Sequence, residues 1–227
     1  MVYNKEIYGS DYFHEEEDWE GFKPILFSLK HVLDLPNNYS MVDIGSSRGS
    51  FVKSAREIGV DAHGYDFSEW CVSNAFDSIK EYIHLQDILN LTYHNLYDLV
   101  ISLNTIEHFY KEDIDTVLNN ILSISKKWTF LLIDNTSKES KGEYRDARFA
   151  PSKYDDLDNK KLNDFEKSCI KSGHYYFVPQ LEWDERISKF NTEFNIRGDL
   201  VDEWRRHVPG FFLNDWSVIY IIEKRDD

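Results

Sequence analysis

Met41-Val42-Asp43-Ile44-Gly45-Ser46-Ser47-Arg48-Gly49-Ser50-Phe51 is the stretch on which the reading of the fold turns. A short apolar run carrying one acid reads as a buried strand, and it stops at a glycine. Gly45 and Gly49 bracket a polar turn, and residues 50–58 then show helical apolar spacing closed by Gly59. Glycines let the chain turn tightly and let a ligand come close to the main chain. The amides opening the next helix supply hydrogen-bond donors.

Working outward, strands and helices alternate. After the first strand at 40–44, strands are expected at 61–65, 82–86, 96–103 and 128–133, with helices at 50–58, 69–78 and 113–125. Ser68 is the expected N-cap of the second of these helices. The 96–103 run is mostly apolar, as expected of a strand covered on both faces. This alternation predicts an α/β fold with a parallel sheet between helical layers. A helix is expected ahead of it at 22–33, with Pro24 in its first turn and Pro36 beyond its end. Residues 135–158 read as a long polar loop of the lid or binding kind. Beyond it a helix is expected at 162–171, a strand at 174–178 and a final strand at 216–223. Residues 179–213 are rich in aromatics but lack a clean period. The organisation expected is an N-terminal aromatic and helical segment, 1–36, followed by one domain, 37–227, with an insertion at about 135–213.

A chain of 227 residues with 41% hydrophobic residues can bury a full core. Its net charge of −15 repels polyanions, so no nucleic-acid partner is expected. Arg145, Arg148, Arg186, Arg197, Arg205 and Arg206 read first as scattered solvated charges. Cys71 and Cys169 lack metal-ligand spacing and read as buried free thiols. The opening residues show no leader pattern, and no apolar run is long enough to span a bilayer. A cytoplasmic location with no membrane partner is therefore expected.

The residues that carry chemistry fall at the carboxyl ends of the strands, where open α/β sheets bind ligands. Asp43 and Gly45 close strand one. Asp66, followed by Phe67, closes strand two about 20 residues later, placed to accept hydrogen bonds from ribose hydroxyls. Capping of the next helix is its other reading. Asp87 and Ile88 close strand three, with the acid able to accept from an adenine amino group. Asn104 ends strand four and leads into Thr105-Ile106-Glu107-His108.

In these motifs and their order the sequence resembles the class I S-adenosylmethionine-dependent methyltransferases. Asp43-x-Gly45-x-Ser47-x-Gly49 is similar to the family's first motif, with Ser47 in place of the middle glycine. Asp66 and Asp87 match the acids near the ribose and the adenine. Tyr97-Asp98-Leu99-Val100 with Ile106-Glu107-His108 resembles the fourth motif. The resemblance covers residues 38–134 and the last strand. It implies a Rossmann-like, doubly wound, seven-stranded sheet with one antiparallel strand and an inserted lid or cap. It implies S-adenosylmethionine as cofactor and S-adenosylhomocysteine as product. The cofactor candidates are then Asp43, Gly45, Ser46, Ser47, Arg48 and Gly49 in the turn, with Asp66, Phe67, Asp87, Ile88 and Asn104 at the other strand ends. Arg48 reads equally as a partner of the cofactor carboxylate or of a nearby acid.

Methyl transfer needs donor and acceptor held in line and, for some acceptors, a base. His108 is the first candidate base, because imidazole titrates near neutrality, and His174 is a weaker one. Asp134 and Asn135 end strand five on the acceptor side. Tyr144, Arg145 and Arg148 lie in the loop beyond, and Tyr8, Tyr12 and Phe13 precede the fold. Arginines in a lid suit a phosphate- or carboxylate-bearing acceptor. The function expected is methylation of a small polar acceptor, with a sugar- or phosphate-bearing metabolite of bacterial polysaccharide or secondary metabolism in view. A methyltransferase-like binding protein without turnover and a protein or nucleic-acid methyltransferase are the alternatives. No metal is expected, because Glu107 and His108 are a single adjacent pair without further spaced ligands. Oligomeric state is not set by the sequence.

Overall fold

The computed structural model describes residues 22–134, 148–157, 160–208 and 217–225. Strands β1 (Ser40–Ile44), β2 (Asp61–Asp66), β3 (Ile83–Leu85), β4 (Tyr97–Leu103), β5 (Ser125–Asp134), β6 (Phe194–Ile196) and β7 (Ser217–Lys224) form one seven-stranded sheet, ordered β3-β2-β1-β4-β5-β7-β6. The strands from β1 to β5 pair in parallel, and β7 runs antiparallel to both β5 and β6. The strand order reverses between β1 and β4, and ligands of open α/β sheets bind beyond the carboxyl ends at such a point.

Alternation along the strands feeds two apolar layers, because successive side chains point to opposite faces. Met41, Leu99, Ile101, Phe130 and Ile221 face one layer, covered by Ile25, Leu26 and Leu29 of α1 (Phe22–Val32), Phe51, Val52 and Ala55 of α2 (Ser50–Glu57) and a C-terminal helix carrying Trp204. Trp204 is fully buried against Phe130, with ring centroids 5.1 Å apart. Val42, Ile44, Val100, Leu131 and Ile133 face the other layer, under Ile114, Val117, Leu118 and Ile121 of α4 (Ile114–Ile124) and under Trp183. Each such side chain contributes about 1.5–3 kcal/mol on burial, so a sheet apolar on both faces holds both helical layers.

Three expectations are corrected. The helix expected at 69–78 is the single turn α3 (Glu69–Ser73), capped by Ser68 as expected, and it stops where the Asn74 amide turns back onto Trp70 and Cys71 carbonyls. The stretch at 174–178 is not a strand. Tyr175 and Tyr176 both donate to the one carbonyl of Glu107, and among the described residues the stretch makes a single bridge, between Phe149 and Phe177. The sixth strand is instead β6, and residues read as aperiodic hold two helices, α6 (Gln180–Ser188) and α7 (Gly198–His207). The helix expected at 162–171 is α5 (Asp164–Lys171), opened by a capping box between Asn163 and Glu166. The N-terminal aromatics and most of the expected lid, residues 135–147, lie outside the described residues.

Cys71 and Cys169 are buried free thiols, and burial pushes the Cys169 thiol up to about 12. No helix among the described residues is long and apolar enough to cross a membrane.

At the β2–β3 edge, His63 Nδ1 lies 3.1 Å from His84 Nε2, with the rings stacked. Burial lowers both pKa values; for His63 the neighbouring His84 and Arg56 lower it further while Asp61 opposes them. A folded pKa below the unfolded value means that the unfolded chain binds more protons. Stability from this pair is therefore complete above the unfolded value of about 6.5 and declines as pH falls below it. We expect the melting temperature to fall between pH 7 and pH 5, with a shallower fall in His63→Gln. Equal slopes for the two proteins would remove the pair as a source.

Candidate functional site

The glycine turn after β1 is held by positive backbone φ angles. Gly45, Ser47 and Gly49 take φ of 78°, 51° and 92°. Ser47, where the resembling family has glycine, adopts the left-handed conformation all the same, at a cost of about 1–2 kcal/mol for a residue with a Cβ. A Cβ on Gly45 would lie 2.2 Å from Thr105 Oγ1, so the turn packs directly on the segment after β4. Thr105 Oγ1 is committed there, 3.2 Å from the Ile44 carbonyl and 3.0 Å from that of Leu103. Gly49 faces Ile79 and Ile83, and Gly64 faces Ser46, at distances that admit no side chain.

Asp66, buried at the end of β2, binds this turn. Its Oδ2 accepts the Ser47 amide and its Oδ1 the Ser68 amide, both at 2.8 Å. Ser68, not Asp66, caps α3. Asp43 is buried at the end of β1. Phe67, half-buried, lies between Asp66 and the cap. Asp87 caps the turn Ile88–Asn90 through the Leu89 amide at 3.0 Å, and the buried Ile88 gives its carbonyl to Asn120. Asn104 directly follows β4 in the left-handed conformation (φ 48°), which asparagine tolerates. Arg48 donates Nε to the Asn74 carbonyl and lies over the Phe76 ring. The fold thus brings Asp43, Gly45, Ser46, Ser47, Arg48, Gly49, Asp66, Asp87 and Asn104 to the carboxyl edge of adjacent strands.

The segment after β4 forms a second, polar group. Glu107 is fully buried. Its Oε1 accepts the Asp134 amide at 3.1 Å, its Oε2 has no hydrogen-bond partner among the described residues, and its backbone carbonyl takes the Tyr175 and Tyr176 amides. Burial holds the Glu107 carboxyl well above the usual carboxylate range. His108 Nδ1 lies 3.0 Å from the Gly173 carbonyl, and the Asn104 carbonyl also stands at its ring. Burial outweighs these carbonyls and pushes its pKa down to about 4. His174 packs edge-on against His108 at 4.9 Å, and burial together with His108 lowers it to about 3. Both rings are neutral at pH 7. Sequence reasoning treated His108 and His174 as separate candidates; nothing in their spacing signals that Glu107 joins them in one cluster.

Asp134 closes β5 beside Glu107. Arg148 is exposed and paired with Glu182 at 2.7 Å. Arg186 pairs with Asp115, Arg197 with Asp199 and Glu223, and Arg206 with Glu203, so these arginines act as scattered surface pairs. Tyr8, Tyr12, Phe13, Asn135, Tyr144 and Arg145 lie outside the described residues.

Residues 17–194 match the family model described as a methyltransferase domain. No curated protein matches the sequence. Among solved structures, phosphoethanolamine N-methyltransferase 2 of Haemonchus contortus, in complex with phosphomonomethylethanolamine and S-adenosylhomocysteine, is 16% identical with a TM-score of 0.57. That match covers 97% of this chain and 56% of the other, so this chain spans little more than half of that enzyme. The plantazolicin methyltransferase bound to a monoazolic desmethylPZN analogue and S-adenosylhomocysteine is 16% identical, with a TM-score of 0.60 over 96% and 88% of the two chains. Magnesium protoporphyrin IX methyltransferase from Synechocystis PCC 6803, with bound S-adenosylmethionine, is 17% identical, with a TM-score of 0.53 over 91% and 80%. The sheet order, the glycine turn and the family match together define the class: the chain belongs to the class I S-adenosylmethionine-dependent methyltransferase family.

Proposed function

We propose that the protein transfers the methyl group of S-adenosylmethionine to a small polar acceptor. The observation that carries this reading is the grip of Asp66 on the turn from Gly45 to Gly49 at the strand-order reversal. In this reading Asp66 accepts from the ribose hydroxyls, since a carboxylate offers about four acceptor sites. Asp87 lies toward the adenine, and the turn amides and Asn104 line the rest of the donor pocket. The sulfonium supplies an already activated methyl group, so the work of the protein is alignment and exclusion of water. Asp134, His108 and His174 stand on the acceptor side, and Tyr12, Asn135, Tyr144, Arg145 and Arg148 are the further acceptor-binding candidates. Arginine there suits a sugar or metabolite bearing phosphate or carboxylate. A net charge of −15 and the acid partners of Arg186 and Arg197 argue against a nucleic-acid substrate.

A second reading, binding without turnover, draws on the low basicity of both imidazoles. Calorimetric titration with S-adenosylmethionine and S-adenosylhomocysteine, with NAD and NADP as controls, tests the donor site. Micromolar binding of the first pair alone is expected. No binding to well-folded protein would overturn the proposal. Release of S-adenosylhomocysteine with sugar- and phosphate-bearing acceptors then separates turnover from binding.

A further inference from the structure

We infer that Glu107, His108 and His174 form a site for a divalent transition-metal ion beside the glycine turn. One ligand atom from each lies within 4.8 Å of the other two. An ion held at about 2.0–2.2 Å brings its ligands to roughly 3.4–4.3 Å from one another, so rotation of side chains by a fraction of an ångström per atom closes the site. Glu107 supplies the second, independent sign. Its Oε2 is completely buried with no partner among the described residues, in a residue that the fold nevertheless fixes through Oε1 and the backbone. A buried polar oxygen left unpaired costs about 1–3 kcal/mol, more if charged, and a cation offsets that cost where the surrounding protein does not.

The histidines fit the same occupant. A neutral imidazole has one N–H, and His108 Nδ1 donates it to the Gly173 carbonyl, a bond that fixes the ring's tautomer and orientation as such bonds do for metal-bound histidine. His174 makes ring contact with His108, with ring centroids 4.9 Å apart. Two imidazoles and one carboxylate favour zinc, iron, cobalt or manganese over magnesium or calcium, which prefer all-oxygen shells. Three protein ligands leave open positions, as in catalytic sites. Thr105, which abuts Gly45, places the cluster next to the donor turn. Use of the open positions by an acceptor oxygen rests on the methyl-transfer reading; binding of the ion does not.

The test is made on the full chain without S-adenosylmethionine. After dialysis against a chelator, Zn²⁺ is titrated in competition with a chromophoric chelator, and Co²⁺ is followed by its visible ligand-field absorption. The wild type is expected to take one equivalent of each and to give the intensified Co²⁺ spectrum of a site of low coordination number. His174→Ala, chosen because that ring makes no hydrogen bond to the fold among the described residues, is expected to bind Zn²⁺ at least 100-fold more weakly and to lose that spectrum. Circular dichroism and thermal melting establish that both proteins are folded. If the His174 variant misfolds, His174→Gln replaces it, with the same loss expected. No stoichiometric binding by folded wild-type protein, or equal affinity in wild type and variant, overturns the site. S-adenosylmethionine titration of the metal-free protein is read separately, so failure of the donor site and failure of the ion site are distinguishable.

Discussion

Gly45→Val is expected to raise the dissociation constant for S-adenosylmethionine by 30-fold to several-thousand-fold, corresponding to about 2–5 kcal/mol. Two costs combine. Gly45 sits at φ 78°, where a residue with a Cβ loses about 1–2 kcal/mol. The new side chain also lands 2.2 Å from Thr105 Oγ1 and 2.5 Å from its Cγ2, and overpacking of this kind costs about 1–3 kcal/mol. Thr105 does not yield freely, because its hydroxyl is bound to the carbonyls of Ile44 and Leu103. Relief must come from the turn itself, which moves the Ser47 amide away from Asp66. Gly59→Ala is the matched control. Gly59 has φ 85° but nothing within 4 Å of an added Cβ, so it carries the backbone strain without the collision. It should lose stability and keep its affinity. Calorimetry of both variants, with melting curves, checks the pair. Wild-type affinity in Gly45→Val would remove the turn from the donor site.

The difference between those two glycines also shows what sequence could and could not convey. The first strand, the glycine turn and the acid closing β2 were legible because each is a local pattern: an apolar run, a turn needing positive φ, an acid at a fixed offset. The two faces of the sheet were legible from alternation, as in Met41 and Val42, which enter opposite layers. The second half was harder for a physical reason. Helix α6 buries only Trp183 and Ile187, and α7 only Val201 and Trp204, too few apolar positions to impose a period over the charged residues around them. Strand β6 is three residues long and is defined by its pairing with β7. The 174–178 stretch has β-like composition, but Glu107 captures two of its amides with one carbonyl and leaves no ladder to form. That capture carries His174 to His108, a meeting between residues far apart in the chain that no local pattern encodes. The acid at 66 is the opposite case. Its position was legible, yet its two amide partners were not, because they belong to a turn whose path depends on Gly45.

Those partners make Asp66→Ala informative. The variant is expected to bind S-adenosylmethionine roughly 10- to 150-fold more weakly, or about 1.5–3 kcal/mol, the range for hydrogen bonds to a charged acceptor. The loss has two sources that the single variant mixes. The carboxylate positions the turn through the Ser47 and Ser68 amides, and in the proposed reading it also accepts from the ribose. Asp66→Asn does not preserve the first role, since one amide oxygen replaces two carboxylate oxygens and an NH₂ group then faces a backbone N–H. A double-mutant cycle separates the two. S-adenosylhomocysteine and its 2′-deoxy and 3′-deoxy analogues are titrated against wild type and Asp66→Ala. Direct contact predicts that removing a hydroxyl weakens binding to the wild type but costs little more in the variant, because groups in contact are not additive. Full additivity with both analogues would leave Asp66 as the residue that shapes the turn and would assign the ribose to another acceptor.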